Sequence, residues 1–323
     1  MTAGNAPSRV RRPPRAVVFA YHNVGVRCLR VLLAHGVDVP LVVTHQDSPG
    51  EVIWFGSVAA SAAERRIRVV APDDPNTPEF VAQVAALEPD FLFSFYYRRM
   101  LKAPLLALPA RGAFNLHGSL LPKYRGRAPV NWAVLHGERE TGATLHAMTV
   151  KPDAGDIVAQ IAVPILPDDT AREVFDKVTV AAEIALDGVL PALVAGTAPR
   201  RPQDATHASY FGGRRPEDGV IDWTRDAATI HNLVRAVAPP YPGAFTTLGG
   251  APARVLRTRV LDRQAPPPPA AFIALADGRA VAHCGGGGTL ELLGLEIDGL
   301  PAGVEWLGAR PGRGTLPLQE ARR

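Results

Sequence analysis

The sequence predicts an α/β fold with a mainly parallel sheet, followed by a smaller, β-rich, barrel-like domain. Short apolar runs alternate with segments of helical periodicity up to residue 195. After residue 244, five short apolar runs follow one another with no helical pattern between them. The first arrangement is typical of parallel sheets built from βαβ units, and the second is typical of small barrels. We therefore expect a Rossmann-like first part and a barrel-like second part.

Each predicted strand is an apolar run, and each predicted helix repeats apolar residues at intervals of three and four. The strands predicted first are 16–20, 39–43, 67–70, 91–95, 113–117, 144–150 and 157–165, and the strand at 113–117 ends in a loop. A turn is predicted at 21–25, and the helices are 26–36, 57–65, 78–87, 129–136, 171–193 and 227–237. The later strands are 245–248, 253–260, 271–275, 280–283 and 289–293.

The linker 197–202, which contains two prolines and two arginines, marks the predicted domain boundary. It separates a larger N-terminal domain, 15–200, from a β-rich, OB-like C-terminal domain, 201–309. The Pro- and Arg-rich residues 1–14 are expected to form a disordered tail, and residues 310–323 are expected to form a flexible one.

Composition predicts a cytoplasmic globular protein. With 323 residues, of which 47% are hydrophobic, the chain can bury a sizeable core. Cys28 and Cys284 are its only cysteines, so the sequence indicates no disulfide framework and no metal cluster. No uninterrupted apolar run approaches the ~18 residues of a membrane span, and the first 15 residues lack the apolar segment of a secretory signal. We therefore expect neither membrane insertion nor a bound metal.

The net charge of +4 resides in the two ends of the chain. Residues 1–15 contain four arginines and no acid, and residues 310–323 contain four arginines and one glutamate. Because these two segments together exceed the total, the body between them is net acidic. A nucleic-acid-binding protein is expected to carry a basic face on its folded body. The charge distribution therefore argues against a nucleic-acid partner.

The stretch 113–129 concentrates the polar side chains that are best suited to catalysis. Asn115 and His117 stand two residues apart, on the same side of a strand that is running out into a loop. An amide and an imidazole placed there can hold a developing oxyanion and transfer a proton. The basic loop 123–127 can hold a negative charge of a substrate. A second tight, glycine-containing loop supplies the carboxylate of Asp153.

A histidine near a strand end is more often structural than catalytic, and an asparagine there often makes an Asx turn. The carboxylate loop favours the catalytic interpretation. Motifs of other chemistries do not occur in the sequence: GK[ST], G-x-G-x-x-G after the first strand, H-E-x-x-H, paired C-x-x-C and G-x-S-x-G. A phosphate-binding loop, a dinucleotide-dependent dehydrogenase, a zinc site and a serine nucleophile are therefore disfavoured.

The two polar clusters resemble the motifs of enzymes that use 10-formyltetrahydrofolate as a formyl donor. That family carries Asn-x-His-x-Ser-Leu-Leu-Pro followed by Asp-x-Gly, and both halves are present here, at 115–122 and 153–155. The resemblance extends from residue 16 to residue 300. It implies the formyltransferase fold, formyl-transfer activity, and 10-formyltetrahydrofolate as co-substrate without a metal.

Within that family the closest resemblance is to the formyltransferase domains of bifunctional polymyxin-resistance enzymes, which formylate UDP-4-amino-4-deoxy-L-arabinose for lipid A modification. It is carried by Phe-Ser-Phe-Tyr-Tyr-Arg at 93–98 and Lys-Tyr-Arg-Gly-Arg-Ala-Pro at 123–129. Those enzymes have a second, dehydrogenase-like domain that has no counterpart in this sequence. We therefore expect a stand-alone formyltransferase served by a separate UDP-glucuronic acid dehydrogenase/decarboxylase. The oligomeric state and the role of the Arg/Pro-rich start stay open.

The resemblance implies a role for each candidate residue. Asn115 would donate a hydrogen bond to an oxyanion, and His117 would stabilise the intermediate or carry a proton. Asp153 would either fix and tune His117 or act as a base. The implied folate-binding residues are Arg99, Met100, Leu101, Arg127, Thr149, Val150, Lys151 and Pro152. The implied substrate-binding residues are Ser119, Tyr124, Arg125 and Arg214.

Three alternatives remain at this point. Methionyl-tRNA formyltransferase shares the three catalytic residue types, but it must hold tRNA, and the acidic body argues against that. A formyltransferase acting on another UDP- or dTDP-linked 4-amino sugar would use similar chemistry. A non-catalytic sensor need not retain all three residues, so their presence argues against that class.

Overall fold

The computed structural model describes residues 12–48, 50, 52–309 and 315–318. The tails predicted at 1–14 and 310–323 lie mostly outside the described residues. The chain divides into two compact units, neither of which is continuous in sequence. The described residues of the first unit lie within Met1–His117, Thr144–Ala159 and Ala182–Gln203, and those of the second unit lie within Gly118–Ala143, Gln160–Ala181 and Asp204–Arg323.

The elements up to residue 195 alternate between strands and helices, as predicted. They are β1 (Arg15–Ala20), α1 (His22–Ala34), β2 (Asp38–Val43), α2 (Val58–Ala63), β3 (Arg68–Val70), α3 (Pro78–Ala85), β4 (Phe91–Phe95), α4 (Ala103–Leu106), β5 (Ala113–His117), β6 (Arg125–Gly126), α5 (Pro129–Leu135), β7 (Glu140–Ala147), β8 (Ile157–Pro164) and α6 (Ala171–Ala195).

The later elements are mainly strands. They are the 3-10 helix Ala205–His207, β9 (Tyr210–Phe211), the 3-10 helix Pro216–Gly219, α7 (Ala227–Val237), β10 (Ala244–Leu248), β11 (Ala251–Asp262), β12 (Phe272–Ala276), β13 (Arg279–His283), β14 (Thr289–Ile297), β15 (Leu300–Ala302), α8 (Val304–Gly308) and β16 (Thr315–Pro317).

A seven-stranded sheet has the order β3-β2-β1-β4-β5-β7-β8. Strands β1 to β5 pair in parallel, and β7 runs antiparallel to β5. The central strands β1 and β4 are buried on both faces, which is why their sequences are continuous apolar runs. The predicted α/β fold with a mainly parallel sheet is confirmed. Because β1, β4 and β5 are parallel neighbours, their carboxyl ends meet at one edge of the sheet, where ligands usually bind.

Helix α1 begins at His22, so the prediction of a turn at 21–25 is wrong. Gly25 supported that prediction, but it serves close packing instead. A Cβ added to Gly25 would lie 2.9 Å from Val58 Cγ2 and 3.0 Å from Ala20 Cβ. The missing side chain therefore allows the first turn of α1 to pack directly against β1 and α2.

Two helix starts follow from capping side chains. The Thr77 hydroxyl accepts a hydrogen bond from the Phe80 amide at the start of α3, where Pro78 occupies the first turn. The Asp226 carboxylate accepts from the Thr229 amide at the start of α7. Helix α7 has the predicted bounds.

An antiparallel sheet in the second unit has the order β10-β11-β14-β13-β12-β16, with β15 paired to β14. It is curled, which confirms the predicted β-rich, barrel-like part. Its core is organised around Trp223, which is 1% exposed and whose indole N–H donates to Thr246 Oγ1 at 2.8 Å. Strand β16 lies within the range predicted as a flexible tail, and its pairing with β12 corrects that prediction for those residues.

Helix α6, Ala171–Ala195, is long and apolar enough to cross a membrane by length and composition. Half of its most apolar window is buried inside the protein. That burial is typical of a core helix, and its first turns carry charged residues such as Lys177, which pairs with Asp169. We assign α6 to the core.

Candidate active site

Strands β5 and β7 place the first polar side chains. In the antiparallel register Asn115 stands opposite His146, and His117 stands opposite Thr144. Side chains two residues apart in a strand share a face, so Asn115 and His117 point to the same side. The paired strands therefore bring two imidazoles and one amide onto one small area of the first unit.

Asp153 completes this group, which we call the Asn–His–Asp network: Asn115, His117, His146 and Asp153. The Asp153 Oδ1 atom lies 3.6 Å from His117 Nδ1 and 3.5 Å from His146 Nε2. The Asn115 Nδ2 atom lies 3.1 Å from His146 Nε2. The side chains of His117, His146 and Asp153 are 7%, 2% and 13% exposed. The structure thus brings the three predicted catalytic residues together in a nearly buried site.

The loop that carries Asp153 is tightly constrained. Asp153 has a φ of +51°, which is unfavourable for a residue with a side chain and needs support from its surroundings. The Gln203 side-chain amide donates to the carbonyls of Asp153 and Gly155, at 2.9 and 2.7 Å. A Cβ added to Gly155 would lie 2.0 Å from the Ala147 carbonyl oxygen, so the loop lies directly on β7. These contacts hold the carboxylate in place.

The composition of the network suits proton transfer next to a developing negative charge. A histidine changes its charge near neutral pH, and a neighbouring carboxylate stabilises the protonated imidazole. An asparagine amide can donate to an oxyanion, and burial strengthens such a hydrogen bond. The arrangement is able to support acyl transfer without a covalent enzyme intermediate.

The predicted folate-binding residues Arg99, Met100 and Leu101 differ in their exposure to solvent. Arg99 and Met100 are exposed, and the Arg99 guanidinium donates to the Pro72 carbonyl at 2.5 Å. Leu101 is 3% exposed and packs in the core with residues of β1, β2 and β4. Its side chain is therefore a core side chain, and its contact with folate stays a prediction.

Residues Thr149–Pro152 form the exposed side of the Asp153 loop. The Thr149 hydroxyl donates to the Lys151 carbonyl at 2.8 Å, which closes a turn. Val150 is 73% exposed. The predicted folate-binding stretch Thr149, Val150, Lys151 and Pro152 is thus continuous with the network, and its side chains are accessible.

Two of the predicted substrate residues of the second unit form internal contacts. Ser119 is 0% exposed, and its hydroxyl donates to the Lys123 carbonyl at 2.7 Å. That bond closes the loop, and a substrate contact of Ser119 stays a prediction. The Tyr124 hydroxyl donates to Glu138 Oε1 at 2.9 Å, and burial together with this bond raises the pKa of Tyr124. Tyr124 therefore stays protonated at neutral pH.

Two arginines of the second unit, Arg125 and Arg214, lie against aromatic rings, and we call the set they form the arginine–aromatic cluster. Its members are Tyr124, Arg125, Trp132, Tyr210, Phe211 and Arg214. The Phe211 ring stacks on Tyr124 and Trp132 at centroid distances of 5.2 and 5.0 Å. The Arg125 guanidinium donates to the Tyr210 hydroxyl at 3.0 Å and is 3% exposed in the chain. Parallel pairing of β6 with β9 holds these residues together.

Arg214 has the strongest features of a ligand-binding residue in this cluster. Its guanidinium lies 5.1 Å from the centre of the Trp132 ring, and Nη2 donates to the Asp218 carbonyl at 2.9 Å. Its Nε and Nη1 atoms are buried, without a hydrogen-bond partner among the described residues. Burial lowers the pKa of Arg214, although a guanidinium keeps its charge. Arg127 is exposed, with its guanidinium against Gly213.

Sequence reasoning missed two residues of the site. His146 bridges Asn115 and Asp153, and its signal in the sequence was the alternation of Thr144 and His146 in a predicted strand. Gln203 lies 50 residues beyond Asp153, and no local pattern indicates it. Within residues 12–48, 50, 52–309 and 315–318, no group of three or more His, Cys, Asp or Glu side chains is arranged to hold a metal ion.

Two family models match this chain. The model for formyl transferases matches residues 30–190, and the model for the formyl transferase C-terminal domain matches residues 214–302. Together the two matches cover well over half of the chain and follow the order of its two parts.

Solved structures show the same fold. The N-formyltransferase of Helicobacter canadensis, in complex with folinic acid and dTDP-3-aminofucose, is 20% identical with a TM-score of 0.68 over 87% of this chain and 98% of that one. WlaRD, a sugar 3N-formyl transferase solved with dTDP and 5-N-formyl-THF, is 18% identical with a TM-score of 0.68 over 89% and 99%. HypX from Aquifex aeolicus, with tetrahydrofolic acid, is 17% identical with a TM-score of 0.60 over 88% and 44%.

Proposed function

This chain belongs to the formyltransferase family, and from that premise we propose that it transfers a formyl group from 10-formyltetrahydrofolate to the amino group of a nucleotide-linked sugar. The observation that carries the proposal is the placement of Asn115, His117 and Asp153 around a shared, nearly buried position. These are the groups that an amine attack on a formyl carbon requires.

We assign a separate chemical role to Asn115, His117 and Asp153. The folate donor supplies an electrophilic formyl carbon attached to a leaving nitrogen. Asn115 donates a hydrogen bond to the oxygen as it gains negative charge, and the loss of such a donor typically costs about 10²–10³ in rate. His117 takes the proton that the attacking amine releases and passes it to the folate nitrogen as the bond from that nitrogen to the formyl carbon breaks, and Asp153 stabilises the imidazolium that forms between these steps. Arg99, Met100 and residues 149–152 are the groups we assign to the donor, with Arg127 as a further cation.

The arginine–aromatic cluster supports a nucleotide-linked acceptor. A diphosphate requires cationic donors, and guanidinium groups bind phosphate oxygens through paired hydrogen bonds. Arg214 offers two buried nitrogen atoms, Nε and Nη1, whose N–H bonds have no partner within the described residues. We assign Arg125 and Arg214 to the phosphates of the acceptor.

For the acceptor itself we propose UDP-4-amino-4-deoxy-L-arabinose, in lipid A modification and polymyxin resistance, with a cytoplasmic enzyme and a separate dehydrogenase/decarboxylase supplying the precursor. The sequence stretches 93–98 and 123–129 support this choice. A second acceptor class, dTDP-linked amino sugars, is favoured by the ligands of two relatives of similar fold. The net acidic body of the chain disfavours methionyl-tRNA.

The test is an assay of tetrahydrofolate release from 10-formyltetrahydrofolate by purified protein. UDP-4-amino-4-deoxy-L-arabinose, dTDP-3-aminofucose and methionyl-tRNA are supplied in parallel, with His117→Ala as the inactive control. We expect release with the UDP sugar and loss of that release in the control. Release with the dTDP sugar alone would keep the reaction and change the acceptor. Release with methionyl-tRNA alone would overturn the sugar assignment.

A further inference from the structure

His146 holds a defined protonation pattern in the Asn–His–Asp network. Its Nδ1 atom lies 2.8 Å from the carbonyl oxygen of Ala147, the next residue along β7. A carbonyl oxygen only accepts, so Nδ1 carries the proton and donates. In the neutral ring the other nitrogen, Nε2, is then an acceptor, and the Asp153 Oδ1 atom, 3.5 Å from it, lies beyond the usual N–H···O range of about 2.7–3.2 Å. The backbone of β7 thus selects one tautomer of His146.

That tautomer determines which end of the Asn115 side chain faces His146. The two ends of an asparagine amide have nearly the same shape but opposite hydrogen-bonding character. An acceptor at Nε2, 3.1 Å away, requires the amide NH₂ group and excludes the amide oxygen. One of the two N–H bonds of Asn115 is used in this contact, and the second remains to be donated elsewhere.

We propose that His146 is a positioning residue, which fixes the Asn115 amide with its NH₂ group toward the oxyanion. The inference rests on the proposed formyl transfer. Without His146 this contact no longer distinguishes the two ends of the amide, so the amide oxygen can face the developing negative charge. His146 itself touches neither substrate; it acts through Asn115. Its burial at 2% exposure, opposite Asn115 in the strand register, keeps solvent from replacing this contact.

The first test compares substitutions of His146 in the tetrahydrofolate-release assay. His146→Leu removes the acceptor and is expected to lower kcat about 10- to 100-fold with KM within about threefold, less than loss of the donor itself. His146→Gln restores an acceptor through Oε1 and is expected to recover most of kcat. His35→Leu, at the exposed end of α1, is the matched control and is expected to keep full activity. Equal losses in the Leu and Gln variants would overturn the proposal.

A double-mutant cycle separates positioning from general support of the fold. If His146 acts through Asn115, then His146→Leu has no further effect on kcat in the Asn115→Ala background. Independent, multiplying losses would overturn the proposal. Thermal unfolding of every variant identifies any that is misfolded; if His146→Leu is, His146→Met, which also lacks the nitrogen acceptor, replaces it in the cycle with Asn115→Ala.

A third measurement does not depend on activity. The ¹⁵N resonances of the His146 ring report which nitrogen carries the proton in the free protein. We expect the Nδ1–H tautomer and a hydrogen-bonded Asn115 side-chain amide that changes in His146→Leu. An Nε2–H tautomer would overturn the positioning role even if the enzyme forms formyl sugars. The expected tautomer with no turnover of any acceptor would instead refute the proposed function.

Discussion

The Asn–His–Asp network and the arginine–aromatic cluster both concentrate polar side chains, but they handle charge in different ways. The network surrounds one carboxylate with two imidazoles, groups whose ring nitrogens can accept or donate a proton. The cluster surrounds two guanidinium groups with aromatic rings, and these groups stay charged throughout. The first suits a charge that appears during a reaction, and the second suits a charge that a substrate always carries.

The comparison therefore predicts different kinetic effects. Residues that act on a charge present only in the transition state affect kcat, whereas residues that hold a permanent charge of the substrate affect KM. Substitutions in the two regions test this separation.

The largest effect is expected for Asp153→Asn. The variant keeps the shape of the side chain but removes the negative charge beside His117 and His146. The imidazolium that forms on His117 during the reaction therefore loses its stabilisation. We expect kcat to fall about 10³-fold or more, as for carboxylates that orient catalytic histidines, with little change in KM. Asp156→Asn, in the same loop, is the control and should retain activity. A rise in KM at constant kcat would place Asp153 in binding instead.

A smaller effect, on KM, is expected for Arg214→Ala. Hydrogen bonds to charged groups contribute about 1.5–3 kcal/mol, so KM for the nucleotide sugar should rise about 10- to 100-fold while kcat changes little. Steady-state kinetics with Arg215→Ala, an exposed neighbour, provides the comparison. If Arg214→Ala lowers kcat at unchanged KM, the division between the two regions fails.

The smallest effect concerns stability and comes from His231, a buried histidine outside both regions. Its ring bonds Thr258 Oγ1 and the Pro167 carbonyl, and burial lowers its pKa. The unfolded chain therefore takes up a proton first, near pH 6.5, and the free energy of unfolding falls as pH decreases from there toward the lowered pKa. His231→Gln should cost about 1–3 kcal/mol at pH 7 through lost hydrogen bonds and should show a shallower dependence on pH.

Urea unfolding between pH 7 and pH 5 measures this effect, and His207→Gln, with a side chain that is 73% exposed, is the control. An unchanged slope in His231→Gln would mean that other groups govern the acid dependence. Formyl transfer at pH 7 should persist in the His231 variant, because His231 lies outside both the Asn–His–Asp network and the arginine–aromatic cluster.

The sequence predicted what depends on local pattern. Alternating apolar runs predicted the strands of the parallel sheet, and apolar periodicity predicted α7 with its bounds. Motif spacing predicted that Asn115, His117 and Asp153 belong together. These features depend on residues that are close in sequence or on motifs whose residue order carries the chemistry.

What depends on tertiary register was not predicted. The role of His146 requires the alignment of β5 with β7, and the contact of Gln203 with the Asp153 loop spans 50 residues. The side chains of Leu101 and Ser119 fit a motif but are buried, and burial is a property of the whole fold. The start of α1 was missed because a glycine that permits close packing has the same sequence appearance as one in a turn.

The contact of Gln203 with the Asp153 loop can form only late in the synthesis of the chain. The ribosome synthesises Asn115, His117 and Asp153 before Gln203, and it synthesises helix α6 between Asp153 and Gln203. Until Gln203 emerges, the loop that carries Asp153 lacks the two hydrogen bonds that hold its strained backbone. During synthesis the Asp153 loop can therefore gain these two hydrogen bonds only after α6 has been made.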